Sequence, residues 1–174
     1  MKQMDKFVAL FRGINVGGNN ILPMKELKCI LEENSYLNPK TYIQSGNVVF
    51  DSEKSPENIN LLIEEKYGFK PEILLIEKKE FFELVSGNPY GSTIGKHIHF
   101  SFCKTTPNAN VEKLDELKSE TEQYLINGKV LYLYAPDGIG RSKLAANIEK
   151  CLGVSVTSRN LNTVNKLIEM LESG

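Results

Sequence analysis

Residues 12–20 read RGINVGGNN, with three glycines, three asparagines and one arginine directly after the apolar run FVALF. Glycine N–H groups that can be turned toward one point, together with amide side chains and a guanidinium, make the donor set of an anion site. The same residues also have a purely conformational use. Glycine permits positive φ, asparagine bonds its own backbone, and Arg12 can pair with a nearby carboxylate. Length favours the first use: a strand-to-helix connection usually takes around 2 to 6 residues, and this one takes ten, 13–22.

A second polar cluster is APDGIGRSK, residues 135–143, between an apolar run and a helical pattern. It comes close to the phosphate-binding loop G-x-x-x-x-G-K-[ST], but Ala135 stands for the first glycine and Arg141 for the lysine. The glycine shapes the backbone nest and the lysine reaches the outer phosphates, so both departures argue against a nucleoside triphosphatase. Gly140, Arg141, Ser142 and Lys143 still gather N–H groups and positive charge at a helix start. The alternative is a serine-capped helix with a basic first turn. A third cluster, TSRNLNT at 157–163, offers Arg159 and Asn160 to a ligand, unless Asn160 or Asn162 serves only as a helix cap. His97 and His99 alternate on one strand, yet the chain has no further histidine to complete a metal site. No Ser-His-Asp, Cys-His or paired-carboxylate arrangement can be assembled, and neither a metal nor a cofactor is expected.

The elements that must position these loops follow from hydrophobic period and punctuation. FVALFR (7–12), TYIQS (41–45), VVFD (48–51) and PEILLIE read as strands, with Gly46-Asn47 as a tight hairpin turn. A helix follows Pro23 through Met24, Leu27, Ile30 and Leu31. Another runs from a Ser55 cap and Pro56 through Ile59, Leu62 and Ile63 to a stop at Gly68. A helix through Phe81, Leu84 and Val85 then ends at SGNPYG. The second half repeats this grammar. HIHFSFC is a strand, NVEKLDELK a helix, and EQYLI and VLYLYA are strands joined by Asn127-Gly128. RSKLAANIEKCLG is a helix stopped by Gly153, and VSVTS a last short strand.

The reading is an α+β protein of two ferredoxin-like halves, each β-α-β-β-α-β, with antiparallel sheets covered by helices. An extra C-terminal helix carries Val164, Leu167, Ile168 and Leu171. The halves are expected at 1–90 and 91–174, packed together without a linker. If β1 and β2 are joined by a right-handed crossover, the end of the first strand and the first hairpin share one rim of the sheet. Arg12, Asn15, Gly17 and Gly18 then meet Gln44, Ser45 and Asn47.

With 21 basic and 22 acidic residues the net charge is -1, which speaks against adhesion to nucleic acid or acidic membranes through bulk charge. Cys29, Cys103 and Cys151 lie far apart without a C-x-x-C, as in reduced thiols of a cytosolic protein. No apolar run suits a signal peptide or a membrane span, so no membrane partner is expected. The β-α-β-β-α-β order is also that of RNA-recognition modules, which stack bases on aromatic rings of the central strands. Phe7, Phe11 and Phe50 occupy those strands, although helices also need rings to cover.

Together VALFRGINVGGNN, PMKELK, TYIQSGNVVF, PDGIGRSKL and TSRNLNTVNKL resemble the bacterial domain-of-unknown-function family sixteen-ninety-seven. The motifs keep their order from the first strand to the last helix. The resemblance implies a compact α+β protein with ferredoxin-like duplication. It also implies that the loops at 12–18, 44–47, 138–143 and 159–163 are the family's hallmark. Where the family usually has tryptophan, this chain has Leu161. A ligand stacked on that ring is then bound differently here. The resemblance brings no reaction, substrate or cofactor. The expectation is a protein that binds a small phosphorylated or otherwise anionic molecule at the glycine and asparagine loops. An RNA-binding module and a non-catalytic structural or regulatory subunit are the alternatives, with the oligomeric state open.

Overall fold

The structure, a computed structural model, describes residues 3–91 and 94–173. The chain divides into two units, residues 1–82 with 166–174, and residues 83–165. The first holds β1 (Asp5–Arg12), α1 (Met24–Glu33), β2 (Leu37–Tyr42), β3 (Asn47–Ser52), α2 (Ile59–Tyr67) and β4 (Glu72–Glu77). The second holds β5 (Ile98–Cys103), α4 (Val111–Leu117), β6 (Gln123–Asn127), β7 (Val130–Tyr134), α5 (Lys143–Leu152) and β8 (Val156–Asn160). The division between the units falls within α3 (Lys78–Ser86) and α6 (Leu161–Glu172).

Each unit is a four-stranded antiparallel sheet, ordered β2-β3-β1-β4 in the first and β6-β7-β5-β8 in the second. These are the same order, position for position, so the duplication of pattern is a duplication of topology. Gly68 and Gly153 both end their helices in the left-handed conformation, at φ 79° and 70°, as matching stops.

The alternation along each strand assigns its faces. Ala9, Phe11, Val48 and Phe50 meet Leu27, Ile30, Leu31, Ile59 and Ile63 in the first core. Cys103, Leu131 and Leu133 meet Leu114, Leu144, Ile148 and Leu152 in the second. Burying each of the valine, leucine, isoleucine and phenylalanine side chains among them stabilises the fold by about 1.5–3 kcal/mol. The opposite faces are buried too, through Val8, Leu10 and Val49 in one sheet and Phe100, Phe102 and Tyr132 in the other. That is why the central strands read as unbroken apolar runs. Of the rings considered for base stacking, Phe11 and Phe50 lie in the core, and Phe7 packs against it.

Local boundaries differ from expectation in several places: β5 begins at Ile98, with His97 in a preceding 3-10 turn, and β8 covers Val156–Asn160 rather than 154–158. β2 covers Leu37–Tyr42, not 41–45, because Pro39 is accommodated on an edge strand where the register with β3 shifts. Gly46-Asn47 is not a two-residue turn: Tyr42 pairs with Asn47, leaving residues 43–46 as a four-residue loop. Helix α2 begins at Ile59 rather than after a Ser55 cap. Asn58 precedes it, and the Asn58 side chain accepts the Tyr36 hydroxyl instead of capping. In the second hairpin Asn127 still belongs to the strand, and Gly128 at φ 58° leads the turn, followed by Lys129.

All three cysteines are free thiols. Burial pushes the Cys103 thiol up to about 11, so it stays protonated at neutral pH. Among the described residues, no helix is long and apolar enough to cross a membrane.

Candidate functional site

The end of β1, the start of β3 and the end of β2 share one rim, fixed by the pairs Leu10 with Asn47 and Tyr42 with Asn47. The start of β4 joins them, with Arg12 opposite Glu72. Loop 13–22 and loop 43–46 are therefore neighbours. The first loop is itself a small hairpin. Val16 bridges Asn19 across Gly17 and Gly18, whose φ values of 57° and 76° are those of a type I′ turn. The Asn19 N–H donates to the Val16 carbonyl at 2.9 Å, and the Asn15 N–H to the Asn20 carbonyl at 3.1 Å.

Asn15 joins the two loops. Its Nδ2 donates to the Leu22 carbonyl at 2.9 Å and to the Gln44 carbonyl at 2.8 Å, and its Oδ1 accepts the Leu22 N–H at 2.7 Å. Asn20 Nδ2 donates to the Gly13 carbonyl at 3.0 Å. Asn47 is fully buried, its Nδ2 donating to the Tyr42 carbonyl at 3.0 Å and to Ser45 Oγ at 3.3 Å. The amides of Asn15 and Asn47 thus hold the loops in shape. The side chains that this frame turns outward are those of Arg12, Gln44 and Ser45, all exposed. Arg12 Nη1 lies 3.5 Å from Glu72 Oε2, with the two side chains 40% and 65% exposed, a loose surface pair. Val16, Ile21 and Ile43 are also exposed on these loops. Ile43 has φ 49°, a conformation that a β-branched residue adopts only when its surroundings impose it.

The other two clusters share a rim of the second sheet. β7 and β8 both end where β5 begins, since Ile98 pairs with Tyr134 and His99 with Asn160. The two strand ends are then roughly 10 Å apart across β5, but only β7 leads into a loop: β8 runs straight into α6, so the loop expected at 159–163 is the end of a strand and the first turn of a helix. Ser142 is the N-cap of α5, its Oγ accepting the Ala145 N–H at 3.0 Å. The same hydroxyl donates to Glu122, a carboxylate only 4% exposed that also accepts the Ser119 N–H at 2.9 Å. Glu122 places negative charge at the helix start, the position that the basic sequence there had suggested for a ligand anion. Its spacing from Ser142 gave no sign of this. Gly140, Arg141 and Lys143 stand exposed beside it.

Asn160 takes the capping role, its Oδ1 accepting the Thr163 N–H at 3.0 Å, and Leu161 is buried at the start of α6. Arg159 Nη1 donates to the Ser158 carbonyl at 3.0 Å, and burial lowers its guanidinium to about 10. It still carries full charge at neutral pH.

His99 is 8% exposed, and its Nε2 has no hydrogen-bond partner among the described residues. Burial holds it below the ordinary value of 6.5, with the backbone of Lys96 opposing and His97 adding to the effect. The unfolded chain takes up a proton near pH 6.5 that the native state binds only at lower pH. Stability is then lost as pH falls from 6.5 toward the native value. His99→Gln should flatten that limb in urea unfolding followed as a function of pH. An unchanged slope would assign the acid sensitivity to other groups.

The chain is an α+β protein with a duplicated four-stranded unit. It belongs to the family described as Protein of unknown function (DUF1697), which matches residues 4–132. A conserved bacterial protein from Streptococcus pneumoniae has the same fold, with a TM-score of 0.73 and 23% identity over 98% of this chain and 100% of that one. Proteins from Bacteroides thetaiotaomicron and Galdieria sulphuraria align at 10% and 11% identity over 94% and 91% of this chain. Their TM-scores of 0.24 and 0.26 are too low to indicate a shared fold. No curated protein matches the chain.

Proposed function

We propose that the protein binds a small phosphorylated or otherwise anionic molecule at the rim formed by loops 13–22 and 43–46. The observation that carries this reading is the Asn15 bridge. It makes two loops distant in sequence into one preorganised surface bearing Arg12 and backbone N–H groups. A ligand phosphate would compete with Glu72, 3.5 Å away in an exposed pair, for the Arg12 guanidinium. Gln44 and Ser45 supply hydrogen bonds of orientation, and Val16, Ile21 and Ile43 offer apolar contact to the rest of the molecule. Three free thiols accord with an intracellular place of action.

The test is a thermal-shift screen with inorganic phosphate, sugar phosphates and nucleotides. A ligand present at 100 times its Kd stabilises by about 2.7 kcal/mol. Arg12→Ala should remove that shift while changing the unliganded stability by less than about 1 kcal/mol. No stabilisation by any of these compounds, or a shift that survives Arg12→Ala, would count against the site.

A further inference from the structure

We propose that the outer edge of β6 receives an extended segment of a partner protein, basic and apolar in alternation, which joins the second sheet as a fifth strand. Strand order places β6 at an edge of its sheet. Asn127 and Val130 close the two-residue hairpin loop and form a hydrogen-bonded pair, so Gln123, Leu125 and Asn127 direct their N–H and C=O groups at β7. The backbone groups of Tyr124 and Ile126 then point outward, and no described residue pairs with them there.

Sheet edges are ordinarily blunted by proline, charge or a bulge. β2 has Pro39 and a register shift, and β4 begins and ends on glutamate. The β6 sequence QYLIN has no proline, no charge and no register shift. A cavity of about 500 Å³ runs along it, lined by Tyr90, Val111, Asp115, Lys118, Tyr124 and Ile126. Val111 is 51% exposed on the α4 side. Leu125 is 42% exposed and projects from the opposite face of the sheet to Tyr124 and Ile126. An added strand would therefore set alternate side chains against Val111 and against Leu125, the arrangement by which strand addition acquires specificity.

Charge selects the partner. Residues 111–121 carry Glu112, Asp115 (which accepts the Tyr124 hydroxyl at 2.6 Å), Glu116 and Glu120 against only Lys113 and Lys118. Lys113 is engaged by Glu116 at 3.3 Å, and Lys118 by the carbonyls of Ser119 and Glu122 at 3.3 and 3.1 Å. The strip beside β6 is acidic, so basic side chains are attracted. A second copy of this chain pairing β6 to β6 about a twofold would bring two acidic α4 helices together, which disfavours self-pairing.

The probe is the acetylated, amidated heptapeptide Lys-Val-Lys-Leu-Lys-Val-Lys, with amide hydrogen exchange of the whole protein as readout. At ten times its Kd, the Tyr124 and Ile126 amides should exchange about tenfold more slowly. The Leu125 amide, already bonded to β7, should not change. Binding should weaken with added salt, on Asp115→Lys, and when alternate peptide nitrogens are methylated, a change that leaves the protein itself untouched. Four results would overturn the proposal. These are no binding at millimolar peptide in low salt, binding without protection of the two amides, equal binding of the glutamate counterpart, or protection without peptide in a protein of doubled mass.

Discussion

Gly46→Ala is expected to destabilise the protein by about 2–5 kcal/mol, from left-handed backbone strain of about 1–2 kcal/mol and overpacking of about 1–3. Gly46 has φ 94°, and a Cβ there would stand 2.5 Å from Phe11 Cβ, 3.0 Å from Phe11 Cγ and 2.8 Å from Ile14 Cδ1. Both neighbours are 1% exposed, and Phe11 Cβ lies next to a backbone that cannot swing aside. The Phe11 N–H donates to the Gly46 carbonyl at 2.8 Å, so moving residue 46 away breaks the bond that closes the rim. Gly18→Ala is the comparison. It has φ 76° but nothing within 4 Å of the new methyl, and should show the backbone cost alone. Urea unfolding of the two variants separates the contributions. Equal losses would mean that the contact with Phe11 is not what makes glycine necessary.

Asn15→Ala should cost about 2–4 kcal/mol, and for different reasons. Three hydrogen bonds disappear, two of them to the N–H and C=O of Leu22, a residue that is 0% exposed. Those backbone groups then lose their partner where water reaches them poorly. Asn15 also has φ 55°, which asparagine tolerates better than alanine. Asn15→Gly removes this strain but not the bond loss, so it should recover only part of the stability. Asn15→Asp keeps the acceptor and exchanges two donors for a charge facing the Leu22 and Gln44 carbonyls, and should be no better than alanine. Chemical unfolding gives the ranking, and amide exchange in residues 43–46 shows whether the second loop is released.

The physical reasons for these effects decide what was legible in the residues. Alternation and helical period gave the strand-helix order of both units, because each core face is written directly into spacing. The neighbourhood of loops 13–22 and 43–46 followed from topology alone. Boundaries failed where a side chain overrode local preference. Ser55 and Pro56 look like a helix start, yet α2 begins only at Ile59, after an Asn58 held by Tyr36, and Gly46 looks like a hairpin leader but lies against Phe11 where no side chain fits. The roles of Asn15 and Asn47 could not be read, since an amide that binds a ligand and one that bridges two loops have the same composition. Glu122 was invisible for a similar reason: it meets Ser142 only because β6 begins on the rim where α5 begins.

The duplication supplies a control experiment already performed by the protein. The counterpart of loop 13–22 in the second unit is the connection 104–110, KTTPNAN, which leads from β5 to α4 with no glycine at all. It closes its rim by ordinary means, the Asn108 N–H donating to the Leu152 carbonyl and the Asn110 N–H to that of Cys151. The matching hairpin needs two loop residues where the first unit uses four. One topology is thus completed twice, once plainly and once with an ornate, strained and polar edge. The second unit shows that this topology closes without a ten-residue glycine and asparagine connection, and loops 13–22 and 43–46 are an addition particular to the first unit.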